Sequence, residues 1–389
     1  MTVLHSKAQS GYDRPRRLIV VNVTWFFLSH RLPIAVAAKN AGYDVTIAAG
    51  GSSEAERQRI VSLGLRFEPL SLERSGRSPT ENLRLLISLY MLYRRVRPDI
   101  VHHVTIKPVM FGTLAARFAG VPAVVNAISG LGYVFAGKSG KQRALRSLVS
   151  YLYRLCLGHP NGHFIFQNHD DQKEFSRIVP IDANRHTLIR GSVVDLDEFV
   201  YVEPNLNQSP VRIVLVARML RDKGIAEFCK AIQSLATSGL DVSGELAGMI
   251  DLDNPASFSE SSIRDLERTT GVRWLGNVRD IRTLLADAAI ICLPSYREGL
   301  PKALAEAAAV GRPIVTTDVP GCRDVVDDGI NGFLVPPQQV QPIVDALSKL
   351  VLDSALRERF GRAAREKAQT QLSLDMVVAQ TLEVYKKLA

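Results

Sequence analysis

The amino-acid sequence predicts an α/β protein built as two Rossmann-like domains that face a cleft. Two observations carry that prediction. Short β-branched runs alternate with stretches of about ten to fifteen residues at helical spacing, the pattern of parallel sheets wound on both faces. The alternation stops at a polar linker, 202–210, which holds Pro204 and Pro210, and starts afresh at Arg212. A chain of 389 residues is long enough for two domains with separate cores.

Taken in order, the first run, Leu18-Ile-Val-Val-Asn22, is almost wholly apolar, as a strand buried on both faces requires. A helix follows over 32–41 and stops at Gly42, because glycine closes helices by entering the left-handed region. Further strands are expected at 44–49, 99–104, 123–127, 163–166 and 187–190, with helices near 54–63 and over 109–119. After the linker, strands are expected at 212–216, 244–247, 272–275, 289–293, 313–316 and 333–335. Helices at 222–235, 279–286, 301–310 and 342–352 fit between them. The expected division is a flexible tail over 1–17, a first domain over 18–205 and a second over 206–371. A C-terminal helix over 372–389 is expected to pack back on the first domain.

Composition narrows the class. With 46% hydrophobic and 22% charged residues the chain is an ordinary globular protein, which excludes disordered and fibrous classes. Cysteines 156, 229, 292 and 322 lie far apart without a CxxC pair, which argues against a zinc site or a disulfide framework. No apolar run approaches the roughly 20 residues of a membrane helix, and the first 17 residues lack a signal-peptide core. The expected place is the cytoplasm, with membrane contact at most peripheral. The net charge of +9 is unevenly spread: residues 1–200 carry +11 and residues 201–389 carry −2. Residues 81–155 alone hold 11 basic and 2 acidic side chains, so the first half is the part that suits an acidic partner.

Chemistry-bearing residues gather in the second half, at the carboxyl ends of expected strands, where ligands of open parallel sheets bind. Arg218 and Lys223-Gly224 follow the strand ending at Val216. Pro294-Ser-Tyr-Arg-Glu298-Gly-Leu-Pro301 follows Leu293, and Thr317-Asp318-Val-Pro-Gly321 follows Thr316. Pro301 suits a first helical turn, and Glu306 is the lone acid on the nearly apolar helix that follows.

This stretch, with glutamates at 298 and 306, resembles the E-x7-E motif of the retaining GT-B glycosyltransferases of family 4. Trp274-Leu-Gly276, Gly311-Arg-Pro-Ile-Val-Thr-Thr-Asp318 and Asp328-Gly-Ile-Asn-Gly-Phe-Leu-Val-Pro336 resemble the same family in order and spacing. The resemblance implies a GT-B fold and a donor site. Arg218 and Lys223 would clamp the diphosphate of a nucleotide-sugar, and Glu298 with these two cations would form the catalytic set. Backbone N–H groups at Gly299 and Leu300, ahead of Pro301, would hold the diphosphate and donor sugar. Glu298 would take sugar hydroxyls and Glu306 the ribose diol. Arg, Lys and a helix N-terminus stabilise the growing charge of a departing diphosphate, so no cofactor and no metal is expected. The triplets 195–197 and 251–253 are expected in polar loops. The chain departs from many relatives in keeping only Gly248 in the loop after the second strand of this domain.

The first half resembles the acceptor domain of the bacterial branch that extends undecaprenyl-diphosphate-linked sugars. His103, Lys107, Asn126, Ser129 and Gly130 are the expected acceptor-binding residues. Here too the chain departs: no histidine stands within 126–129, and 22–31 lacks the Gly-Gly loop of many relatives. Lys138, Lys141, Arg143, Arg146 and Arg154, with Leu145, Leu148, Val149, Leu152 and Leu155 at helical spacing, suggest a helix lying on an anionic membrane, the inner face of the cell membrane. The expected activity is transfer of a hexose or N-acetylhexosamine from a nucleotide-sugar, UDP-linked, to a polyprenyl-diphosphate-linked glycan. A nucleotide-sugar 2-epimerase of the same fold is the near rival. A Rossmann oxidoreductase is disfavoured because no G-x-G-x-x-G follows Val20 or Val216. A nucleic-acid partner is not expected, since it would leave the polar strand ends of the acidic half unexplained.

Overall fold

The computed structural model describes residues 14–70, 79–128, 153–154, 156–179, 181–190, 194–252 and 254–389. Its strands are near-continuous runs of Val, Ile, Leu and Ala, as parallel strands covered on both faces must be. The first sheet contains β1 (Arg16–Val23), β2 (Asp44–Gly50), β3 (Arg66–Pro69), β4 (Ile100–Val104), β5 (Ala123–Ile128), β6 (Gly162–Phe166) and β7 (His186–Leu188). They lie in the order β3-β2-β1-β4-β5-β6-β7. Strands β3 through β5 in that order pair parallel, with Arg17 opposite Ile100 and Val20 opposite His103.

The second sheet is parallel throughout: β8 (Val211–Val216), β9 (Val242–Ala247), β10 (Arg273–Trp274), β11 (Ile290–Leu293), β12 (Ile314–Thr317) and β13 (Gly332–Val335). The order is β10-β9-β8-β11-β12-β13. In each sheet the chain works outward to one side and then returns to the middle to build the other. The resulting switch points lie between β1 and β4 and between β8 and β11, the places at which open parallel sheets bind ligands.

Two Rossmann-like parallel sheets are therefore present. The chain forms two compact units, one of residues 1–127, 150–164 and 381–389, the other of 128–149 and 165–380. Within the first unit, residues of the C-terminal helix Leu374–Leu388 reach the sheet: Tyr385 Oη and His102 Nδ1 are hydrogen-bonded at 2.6 Å. The four cysteines are free and buried. Among the described residues, no helix is long and apolar enough to cross a membrane.

Candidate active site

At the switch point of the second sheet, the loops after β8 and β11 are stitched together by backbone chemistry. Gly224 turns the chain at φ +72° into the helix Ile225–Thr237, and a Cβ there would stand 2.2 Å from the Pro294 carbonyl oxygen. Only glycine tolerates both the angle and the approach. The Asp222 carbonyl accepts from Tyr296 N at 2.8 Å and from Ser295 Oγ at 3.0 Å, while Tyr296 Oη donates to Glu227 at 2.7 Å. These ties carry Lys223 to Glu298: Nζ donates to Oε1 at 2.6 Å, with both side chains largely withdrawn from water. A charge-assisted bond of this kind holds each group in place while leaving Lys223 two further donors. Gly321, at φ +80°, lets the next loop close on the same place, since a Cβ there would stand 2.3 Å from the Gly299 carbonyl oxygen.

Arg218, on the loop after β8, is paired with Asp251 and remains partly open to solvent. This pairing gives Asp251 of the second acidic triplet a role as a counter-ion. Asp195 of the first triplet accepts from the backbone N–H groups of Asp197 and Glu198, at 3.0 and 3.1 Å. Leu300 and Pro301 are buried ahead of the helix Lys302–Ala309. Glu306 is buried on that helix and its carboxylate meets Lys302 Nζ at 3.2 Å. Burial pushes its carboxyl above the usual carboxylate range, the Lys302 charge opposes the shift, and Glu198 adds to it. A buried carboxylate with one lysine partner retains accepting capacity for ligand hydroxyls.

One part of the site was not anticipated. Asn168 caps the helix His169–Ser176 by accepting from Asp171 N at 2.7 Å, and its amide donates to the Gly299 carbonyl at 3.0 Å and to Asp171 Oδ2 at 2.9 Å. Asp171 in turn accepts from Arg297 Nη2 at 2.8 Å, and Arg323 reaches Asp170 at 3.4 Å and Asp318 at 2.8 Å. In a trans peptide the C=O and the following N–H point opposite ways. Anchoring the Gly299 carbonyl therefore fixes the direction of the Leu300 N–H. The signal in the sequence was the Asn168-His-Asp-Asp171 string, which reads as a helix start. Asn168→Ser keeps an N-cap oxygen and loses the amide donor to Gly299 without setting a second carboxylate against Asp171; transfer is expected to fall about tenfold, one hydrogen bond's worth, with only a modest drop in melting temperature. Steady-state kinetics beside a thermal melt would check this, and unchanged turnover would remove the brace from the site.

In the first unit the expected acceptor residues are distributed differently. His103 and Asn126 are not at a surface: both are fully enclosed. The His103 ring is hydrogen-bonded to Tyr93 Oη at 2.9 Å and to Asn126 Oδ1 at 2.9 Å, and Thr113 Oγ1 donates to Asn126 Oδ1 at 2.9 Å. Gly112 seals the ring, for a Cβ there would lie 2.4 Å from Nε2. Burial drives His103 down to about 3, so it stays neutral at physiological pH. Position near a strand end was the right cue and side-chain direction the missing one: the residue faces the helices covering the sheet. Beyond β4 the strand ends in a strained turn. Thr105, β-branched, is held at φ +75°, and Lys107, half-buried, leads into the π-helical turn Pro108–Gly112. Ser129, Gly130, Lys138, Lys141, Arg143 and Arg146 lie outside the described residues, whereas Arg154 is described and exposed. No group of three or more His, Cys, Asp or Glu among the described residues is arranged to hold a metal ion.

Comparison with known proteins fits this geometry. Residues 18–157 match a model described as "Glycosyl transferase 4-like", and residues 199–367 one described as "Glycosyl transferases group 1". A Campylobacter jejuni N,N'-diacetylbacillosaminyl-diphospho-undecaprenol α-1,3-N-acetylgalactosaminyltransferase is 26% identical over 381 residues, 93% of this chain and 98% of the relative. An Escherichia coli UDP-Gal:α-D-GlcNAc-diphosphoundecaprenol α-1,3-galactosyltransferase is 25% identical over 290 residues, 71% of this chain and 72% of the relative. Among solved structures, Anabaena HepE in complex with UDP and glucose superposes with a TM-score of 0.76 at 15% identity, covering 96% of this chain and all of that one. That likeness speaks for the fold.

Proposed function

Since the chain belongs to the glycosyl transferases, 4-like in its first half and group 1 in its second, we propose that it moves a hexose or N-acetylhexosamine from a UDP-sugar to a polyprenyl-diphosphate-linked glycan, with retention and without a metal. The observation that carries this reading is the Lys223–Glu298 pair at 2.6 Å at the switch point of the second sheet. There a cation and a carboxylate meet, next in the chain to the Gly299–Leu300 peptide whose carbonyl Asn168 anchors. The choice of acceptor follows the relatives from C. jejuni and E. coli, both named for transfer to a sugar on diphospho-undecaprenol.

In this reading Lys223 and Arg218 take the diphosphate oxygens, Arg218 exchanging Asp251 for phosphate. The bond between the sugar C1 and the diphosphate oxygen breaks while C1 bonds to the acceptor hydroxyl on the same face. The acceptor proton goes to the departing phosphate oxygen, and the products are the nucleoside diphosphate and the extended glycan. No side chain acts as nucleophile. Lys223 lowers the barrier because charge on the leaving group grows toward the transition state. Glu298 positions sugar hydroxyls and Glu306 the ribose diol. The acceptor approaches the edge marked by Thr105 and Lys107, and the enzyme works peripherally on the cytoplasmic face of the membrane.

Thermal melts with a panel of nucleotides, followed by transfer assays on a lipid-diphosphate sugar, test the reading. A uridine diphosphate is expected to raise the melting temperature most, with transfer from the matching sugar donor. No stabilisation by any nucleoside diphosphate, together with no transfer, would overturn it.

A further inference from the structure

We propose that the outward face of the helix Pro79–Val96 is the surface by which the first unit lies on an anionic bilayer. This inference rests on the reading of a lipid-linked acceptor and assigns the lipid contact to a helix other than the 138–154 segment. The helix buries Leu85, Leu89, Leu92 and Tyr93 against its own unit. Yet Leu83, Ile87, Tyr90 and Met91 stand 56%, 44%, 39% and 64% exposed. At 100° per residue these four occupy an arc of about 100°, one continuous stripe. Phe118, on the helix Thr113–Ala119 that packs beside it, is 67% exposed as well. A soluble surface rarely gathers large apolar side chains in this way unless something covers them.

The charges at the border select the occupant. Arg84, Arg94 and Arg95 rim the stripe, all exposed, and Arg117 stands next to Phe118. Glu81, in the first turn, is the one acid of the helix, and Arg95 also meets Glu68 at 2.5 Å. Two copies of such a face would set arginine against arginine. An anionic lipid surface instead offers both a hydrocarbon layer for the stripe and counter-charges for its rim. Topology fits the purpose: in a parallel β-α-β unit the connecting helix starts at the carboxyl edge of the sheet, so Leu83 lies toward the edge where Thr105 and Lys107 stand.

The test uses the full-length enzyme and vesicles of phosphatidylcholine with or without phosphatidylglycerol. Glutamine keeps helix propensity while removing apolar surface or charge. Leu83→Gln/Ile87→Gln/Met91→Gln is expected to lower partitioning onto the anionic vesicles roughly tenfold or more, and Arg84→Gln/Arg94→Gln to remove most of its dependence on salt. Both variants should match the wild type in circular dichroism and in transfer to a detergent-free, short-prenyl diphosphate sugar, while transfer to the same sugar on a long lipid in vesicles falls roughly tenfold. Vesicle binding unchanged in the apolar variant overturns the proposal. So does a wild-type dimer that the apolar variant dissolves without loss of vesicle binding, since the face then belongs to a second copy. Loss of the broader reading has a different signature: the wild type binds vesicles in a manner that needs the stripe, yet transfers sugar to neither acceptor.

Discussion

Lys223→Ala is expected to lower transfer about a hundred- to a thousandfold, the loss typical of one preorganised donor aimed at a developing anion. The loss should fall on kcat more than on the donor KM, because the diphosphate carries more charge while leaving than while bound. The substitution also strips Glu298 of its partner at 2.6 Å, so a stability effect must be told apart from a catalytic one. Lys223→Ala combined with Glu298→Gln removes the lone buried charge; its melting temperature should recover toward the wild type while turnover stays low. Turnover within about threefold of wild type in the single variant would refute the assignment of Lys223 to the diphosphate.

Glu306→Ala is expected to lower kcat/KM for the donor about a hundredfold, chiefly through KM. Two charge-assisted bonds to a ribose diol are worth about 1.5–3 kcal/mol each, and part of that remains with solvent in the cavity. Glu306→Gln should lose about tenfold, since an amide still accepts one hydroxyl. The carboxylate form is the one that accepts both, and burial raises its pKa above the ordinary 4.5. Donor KM should therefore rise as pH falls through that raised value, and the Gln variant should lack this limb. Stability runs the other way. A carboxyl whose folded pKa is raised favours the fold most below its unfolded value and loses that contribution as pH rises through the folded one. At neutral pH the ligand-free Gln variant is thus expected to melt slightly above the wild type, a gain in stability set against a loss in binding. A melt lower than wild type would show that the charge on Glu306 supports the fold instead.

The legible parts of this molecule are those where sequence pattern and physical constraint coincide. In the second half, β8, β11 and β12 are buried on both faces, so their apolar runs stand out between turn residues. Lys223, Glu298 and Gly299 were readable because loops at the carboxyl ends of such strands have few other reasons to hold glycine, proline and charge together. The helix Pro79–Val96 escaped because it carries large apolar residues on its exposed face as well as its buried one, which blurs the edge of the stripe that marks a helix in sequence. β3, four residues with a proline at its end, is too short and too exposed to signal itself. His103 and Asn126 were misjudged for a further reason: position along a strand follows from the sequence, but which partner a buried imidazole finds depends on Tyr93, Thr113 and Gly112 from other elements.

The hydrogen bond from Asn168 to the Gly299 carbonyl has a practical result for engineering. The group 1 model begins at residue 199, and the interdomain-looking linker ends at 210, so either invites a splice there. A graft of another donor half at that junction would keep the nucleotide loops and discard their splint, because Asn168 and Asp171 lie upstream of the cut. The portable piece begins near residue 165, where the second compact unit resumes. Chimeras that carry 165–380 together should retain the donor preference of their parent, whereas those joined at 199 should inherit its loops in a slack, slow form.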